Sequence, residues 1–243
     1  MNELQTESTT PEIRILVIGD SLSNIKVLRK NLSARGYDVE LAFDAAEALD
    51  MAGQNTYALM IILLDFTNSQ VNGLELCQQM SNITQAQIIA LSSDDTESFK
   101  VKAFDYGIDD FLVLPFNLEE FLARVRSSVR RWMKYTAANN QDERIIVIKD
   151  LYINLEIRNV TIRGKKIRLT PTEYEILVYM ARNKGKVISH RELLKAIWGD
   201  AYGKEREYLR VYISQLRKKI EVDAMHAEYL ITEPGIGYRF GNE

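Results

Sequence analysis

Little in this chain could cross-link it or hold a soft metal. Among 243 residues there is one cysteine, Cys77, and there are two histidines, His190 and His226. A lone cysteine excludes an intrachain disulfide and fits a reducing, cytoplasmic setting. Cys77 sits in LELCQQM, a helical pattern, and reads as a small packing residue. The histidines are far apart and lack cysteine neighbours, so a zinc site is not expected. The longest apolar run is about six residues, far below the ~20 of a membrane-spanning helix. The first residues, MNELQTESTTPE, have neither a basic nor an apolar region of a signal peptide and read as a disordered tail, 1–11. No complete nucleophile–base pair or metal site is visible, so the chain is not read as an enzyme.

Charge is nearly balanced overall, at −3, but unevenly spread. Residues 1–131 carry 11 Lys and Arg against 19 Asp and Glu, a balance of −8; residues 132–243 carry 20 against 15, a balance of +5. An acidic half followed by a basic half implies two domains, the second facing a polyanion.

Residues 12–131 alternate between strand and helix patterns. IRILVI, YDVELA, LMIILL, AQIIALS and DDFLVL are short apolar runs, and helical spacing separates them. Asp44 with Glu47 and Asn117 with Glu120 have the spacing of helix caps. Five such units imply a doubly wound, five-stranded parallel sheet with helices on both faces. Ligands of such sheets bind beyond the carboxyl ends of the strands. Asp20, Asp65 and Ser92 fall at three of those ends and should share one crevice.

This pattern resembles the CheY-like receiver domain of bacterial two-component response regulators. The resemblance implies that Asp65 occupies the position of the phosphoryl acceptor, Gly73 that of a loop glycine and Ser92 that of the switch hydroxyl. It also exposes losses. The usual acidic pair reads Gly19-Asp20, the lysine before Pro115 is Leu114, and a loop proline is Ser69. Mg²⁺ prefers octahedral oxygen ligation, so Asp20 and Asp65 make a weak or absent metal site. Leu114 offers no charge to a phosphoryl group, and one such donor is often worth ~10²–10³-fold in rate. Three readings stand: Asp65 is unused and the receiver acts without phosphorylation, it is phosphorylated slowly or noncanonically, as by a histidine kinase, or the altered crevice takes another ligand. The resemblance further implies a homodimer through the fourth helix, fifth strand and fifth helix. Its intersubunit ion pairs would join Lys100 with Glu120, Asp110 with Arg124 and Asp109 with Arg131; solvated or intrachain pairing is the alternative.

Residues 132–144 lose their apolar period and read as a linker. From 145 to 243 an α+β pattern follows. Short β segments come first, with Gly164 in a hairpin turn. Then comes a helix capped by Thr170, Pro171 and Glu173, a second capped by Ser189 and Glu192, and a third over REYLRVYISQLRKKIE. On the third helix Leu209, Ile213, Leu216 and Ile220 line one face. Glu207, Val211, Ser214, Gln215 and Lys218 lie opposite, flanked by Arg206, Arg210 and Arg217. Two β segments around PGIG form a wing with Tyr238 and Arg239 at its base. An arginine-bordered helix of this kind suits the major groove of double-stranded DNA.

The runs LTPTEYEILVYMARNKGKVISHRELLKAIWG, YLRVYISQLRKKIE and YLITEPGIGYRF resemble the winged helix-turn-helix effector of OmpR/PhoB-type regulators, particularly KdpE-type members. The resemblance implies DNA contacts from Arg206, Arg210, Val211, Tyr212, Ser214, Gln215, Arg217, Lys218 and Tyr238, with a dimer on two half-sites about one helical turn apart. It also places Trp198 and the loop after it where relatives touch RNA polymerase or DNA backbone, although Trp198 reads equally as core. A DNA-binding transcriptional regulator with an atypical receiver is therefore expected. The rival is a module that binds a protein or small molecule and touches DNA weakly.

Overall fold

A computed structural model describes residues 13–20, 22–65, 72–136, 145–199, 202 and 206–241. Five strands, β1 (Arg14–Ile18), β2 (Asp38–Ala42), β3 (Leu59–Leu63), β4 (Gln87–Ser92) and β5 (Asp110–Val113), form one sheet in the order β2-β1-β3-β4-β5. Every pairing in it is parallel. Crossovers run through α1 (Leu22–Ser33), α2 (Ala45–Gln54), α3 (Gly73–Ile83) and α4 (Glu97–Asp105), and α5 (Leu118–Thr136) follows β5. The central strands are buried throughout, as a sheet covered on both faces requires.

The caps form where the sequence puts them. Asp44 accepts from the Glu47 amide at 2.8 Å, and Asn117 accepts from the Glu119 amide at 2.8 Å. Helix α5 runs to Thr136, five residues into the segment expected to be linker. Arg131, one residue before that segment, is almost wholly buried against Gln87 and Ser128, which holds the helix beyond its last regular apolar position.

The second unit opens with an antiparallel sheet, β6 (Ile145–Ile148), β7 (Leu151–Asn154), β8 (Asn159–Ile162) and β9 (Lys165–Ile167), in sequential order. Arg163 and Gly164 both take positive φ in the β8–β9 turn, the geometry a two-residue hairpin needs. Then come α6 (Pro171–Arg182), β10 (Val187–Ser189), α7 (His190–Trp198) and α8 (Arg206–Ile220). The wing strands β11 (Leu230–Glu233) and β12 (Gly237–Phe240) complete a three-stranded sheet in the order β10-β12-β11. Thr170 and Glu173 close a reciprocal capping box on α6.

The two units are not separated by solvent. One core lies between the sheet and α1 and α5, around Ile15, Val17, Ile25 and Phe121. The other, on the opposite sheet face, continues without a break from Phe104 and Phe111 into Trp198, Tyr212 and Leu216 of the second unit. The face formed by α4, β5 and α5 is thus covered by α6, α7 and α8.

Candidate functional site

The crevice at the strand ends gathers Asp65 and Ser92. Asp65 follows β3 and is exposed; Ser92 ends β4 and is fully buried. The Ser92 hydroxyl donates to Asp65 Oδ1 at 2.7 Å, and the Ser93 amide donates to Oδ2 at 2.8 Å. Both carboxylate oxygens therefore already hold a donor. Leu114 follows β5, half-buried against the core of α1 and α5. Its peptide bond to Pro115 is cis. Gly19 precedes Asp20 at the end of β1. A Cβ there would lie 3.1 Å from Ile25 Cγ2 and 3.2 Å from Leu63 Cβ, tight on both sides. Among the described residues no group of three or more His, Cys, Asp or Glu side chains could hold a metal. A magnesium site would have to rest on Asp20 and an Asp65 whose oxygens are both engaged, a poor fit to octahedral oxygen ligation. Ser69 lies outside the described residues.

Gly73 opens α3 behind this crevice. A Cβ on it would fall 2.7 Å from the Leu64 carbonyl oxygen and 2.8 Å from Leu64 Cα. The close approach of helix to strand end thus requires glycine. Cys77, one turn further on, is buried, and burial pushes its thiol pKa well up, so it is an inert packing group.

Of the residues expected at an intersubunit face, Asp109, Asp110, Arg124 and Arg131 are buried where the two units of this chain meet, while Glu120 is exposed. Arg124 Nη1 binds Asp110 Oδ1 at 2.8 Å, and Arg124 Nη2 binds Glu120 at 2.8 Å. The Tyr202 hydroxyl also meets Asp110, and the Arg124 guanidinium stands 4.8 Å over the Tyr202 ring. Thr172 Oγ1 donates to Asp109 Oδ1 at 2.6 Å, while the Ile88 amide donates to Oδ2 at 2.9 Å. Burial raises the Asp109 pKa to about 6, against the opposing pull of these donors and of Arg131. Arg131 donates to Gln87 Oε1 at 2.8 Å and lies 5.9 Å from the Trp198 ring. Lys100 lines a groove between α4 and α8 with Tyr208 and Val211. Asp110–Arg124 is thus an intrachain pair in this conformation, because folding the second unit onto α4, β5 and α5 puts both charges inside one molecule.

Helix α8 presents three faces. Leu209, Ile213, Leu216 and Ile220 point into the core of the second unit. Tyr208, Val211, Tyr212 and Gln215 meet the receiver. Tyr212 is buried and donates to the Ile108 carbonyl at 2.9 Å; Tyr208 donates to the Phe111 carbonyl at 3.3 Å; Gln215 meets Asp105. The Phe104 ring packs against both tyrosines, with centroids 4.6 Å from Tyr208 and 5.5 Å from Tyr212. The third face, Arg206, Arg210, Ser214 and Lys218, is exposed and repeats every four residues. Glu207 grips Arg210 through two 3.0 Å bonds. His190, near this stripe, has its pKa lowered by burial and then by the charges of Arg206 and Arg210.

Of nine residues expected at DNA, four therefore stand open to solvent on one stripe. Val211, Tyr212 and Gln215 are turned to the receiver. Arg217 is turned to the wing, donating from Nε to the Leu230 carbonyl at 2.9 Å. Tyr238 is buried in the wing base, its ring 5.3 Å from that of His190. Trp198, open to two readings from sequence, is buried at the junction of the units; its carbonyl accepts from Arg130 at 3.1 Å. The loop after it lies mostly outside the described residues. Tyr202, Tyr208 and Thr172 were not among the expected functional residues. The signal for the two tyrosines is the density of aromatic residues from Trp198 to Tyr212, which a solvated DNA-facing surface does not need; Thr172 carries no such signal.

Comparison with known proteins agrees with this architecture. The response regulator receiver domain model matches residues 15–126, and the transcriptional regulatory protein C-terminal model matches residues 164–240. The transcriptional regulatory protein KdpE of Mycobacterium tuberculosis is 40% identical over 226 residues, covering 93% of this chain and 98% of the relative. Two solved structures of RitR mutants, 24% and 23% identical, superpose with TM-scores of 0.76 and 0.78 over 95% of this chain and all of the other, which shows a shared fold. No helix among the described residues is long and apolar enough to cross a membrane. The chain belongs to the OmpR/PhoB family of response regulators, in its KdpE-like branch, and is a DNA-binding transcriptional regulator.

Proposed function

We propose that this regulator switches without phosphoryl transfer, by opening the contact between its receiver and its DNA reader. The observation that carries this is the engagement of Asp65. The hydroxyl and amide that would grip a phosphoryl oxygen, those of Ser92 and Ser93, are donated to the Asp65 carboxylate itself. Leu114 supplies no counter-charge, and Gly19 leaves the metal side one carboxylate short.

What remains to be switched is the face of α4, β5 and α5. In the closed chain Asp109, Asp110, Arg124 and Arg131 serve the reader unit. A homodimer through the same face needs the same side chains, so closure and dimerisation compete. An open chain would dimerise, free α8 and place two readers on two half-sites of duplex DNA. Arg206, Arg210, Ser214 and Lys218 would approach the groove first, and Val211, Tyr212 and Gln215 become available only on opening. RNA polymerase is the partner expected once the protein is bound. Mg²⁺ is not required in this scheme.

The conventional reading, slow phosphorylation by a histidine kinase, draws on one observation: Asp65 remains exposed, so a donor can reach it. Acetyl phosphate with Mg²⁺ followed by intact-mass measurement separates the two. No adduct is expected. An adduct that disappears in Asp65→Ala, together with dimerisation only in beryllofluoride by sedimentation velocity, overturns the proposal.

A further inference from the structure

Two oppositely charged residues near the end of α8 lie one helical turn apart and take hold of the backbone of the same residue, Leu230. Leu230 opens β11, which is an edge strand: β12 pairs with one side only. On its other side the Leu230 carbonyl accepts from Arg217, from Nε at 2.9 Å and from Nη2 at 2.5 Å. The Leu230 amide donates to Glu221 Oε1 at 2.9 Å. Arg217 Nη2 reaches on to Thr232 Oγ1 at 2.7 Å, the next outward position of β11. Glu221, almost fully buried, also accepts from the Tyr229 and Glu228 amides, each at 3.0 Å. Behind it, Arg163 Nη2 binds the α8 terminal carbonyls of Ile220 at 3.1 Å and Glu221 at 3.3 Å.

Arg217 and Glu221 thus stand where a neighbouring strand would stand. They satisfy the backbone groups that an edge strand otherwise leaves to water. Each bond involves an ionised partner and is correspondingly strong. We infer that Arg217 is a positioning residue and not a base reader: with Glu221 it fixes the angle between reading helix and wing, so that the two meet DNA as one rigid body. This rests on the reading of α8 and the wing as the DNA-contacting elements. It reassigns one arginine of that helix and adds a carboxylate that no charge-based view of DNA contact would include.

The carboxylate makes the inference testable. If Arg217 touched DNA directly, removing Glu221 would leave affinity unchanged or raise it, because a negative charge would be lost near a polyanion. If the pair positions the wing, Glu221→Gln weakens binding in the same direction as Arg217→Ala.

The experiment uses the full chain and a duplex carrying the sequence that the native chain enriches from a random pool. Arg217→Ala and Glu221→Gln are each expected to lose roughly tenfold in affinity, and the double variant no more than either alone, the signature of coupled residues. Arg217→Lys, which keeps charge and a donor, recovers part of the loss. Hydroxyl-radical footprints should lose protection on the wing side of each half-site and keep it beneath α8, whereas a shift in domain opening would scale the whole footprint. If Glu221→Gln unfolds, Thr232→Val carries the test; it removes one bond at the strand edge and is expected to lose about twofold, non-additively with Arg217→Ala.

Glu221→Gln binding as tightly as native, or losses that simply add, overturns the inference while leaving the reader intact. A native chain that enriches no sequence, or an Arg210→Ala variant that binds undiminished, overturns the reading beneath it.

Discussion

Removing a hydroxyl from the reading helix should tighten DNA binding. Tyr212 lies on α8, where sequence alone places it at DNA, yet its phenol donates to the receiver's Ile108 carbonyl at 2.9 Å and its ring packs on Phe104 and Trp198. Tyr212→Phe keeps the ring and deletes the bond. In the closed form a neutral hydrogen bond of about 1 kcal/mol is lost, and the buried carbonyl is left without its partner at a further cost of about the same order. In the open form water reaches that carbonyl, so nothing comparable is lost. A difference of one to two kcal/mol raises the open fraction by roughly 5–30-fold. While the closed form dominates, apparent Kd falls by the same factor, because it equals the intrinsic Kd divided by the competent fraction. Fluorescence anisotropy with a duplex enriched by the native chain measures it. Thr172→Val is the control from a different helix: it deletes the 2.6 Å donor to Asp109 and should act in the same direction. Weaker or unchanged binding by both variants would refute the idea that closure limits access to α8.

Other outcomes follow from named groups. Asp109 has its pKa raised to about 6 in the closed chain, above the ordinary carboxylate value of ~3.9 expected in the open one. Its contribution to closure is therefore fully present below the open-state value and is lost as pH rises through about 6. The radius of gyration by small-angle scattering should increase from about pH 4 to about pH 6.5 in native chain and less so in Asp109→Asn; an identical rise in both would assign it to another group. Gly73→Ala drives a methyl into the Leu64 backbone at 2.7 Å and should destabilise the receiver by about 1–3 kcal/mol, read as a lowered melting temperature. An undisturbed melt would mean the acceptor loop yields easily. In the Asp65→Ala chain, sedimentation should show the same monomer–dimer distribution as native with or without beryllofluoride, and a difference that needs the mimic would restore a phosphoryl switch.

The parallel sheet could be read from sequence because each strand is a short apolar run between helices with their own caps. The gathering of Asp65 and Ser92 in space followed from strand-end topology alone. What sequence could not convey is how many faces of α8 are occupied. A helical wheel separates Leu209, Ile213, Leu216 and Ile220 from the rest, but it cannot tell a face turned to DNA from one turned to a neighbouring domain. Tyr212 and Val211 are amphipathic or small enough for either. Arg217 is hard to place for a related reason: an arginine on a reading helix points to DNA by composition, and only the path of β11 reveals the Leu230 carbonyl within its reach. Asp110 and Arg124 are complementary in sequence whether they pair within a chain or across a dimer, and the fold of the second unit decides which.

The chemistry of the closed contact suits a reversible switch better than a permanent one. Its attraction comes from aromatic packing around Tyr208, Tyr212, Trp198 and Phe104. Its centre, however, holds charge: Asp110 and Arg124 are both buried, and Asp109 is buried beside them. Taking such groups out of water costs several kcal/mol per ion, which their mutual attraction only partly offsets. Opening returns them to solvent, so the contact is weaker than its bonds suggest. A dimer that pairs the same charges across a two-fold axis regains part of that electrostatic attraction and buries the face again. Under the proposed competition between closure and dimerisation, the balance rests on a small difference between similar terms. Under that proposal, occupancy of two half-sites by a dimer would shift the balance toward the open form.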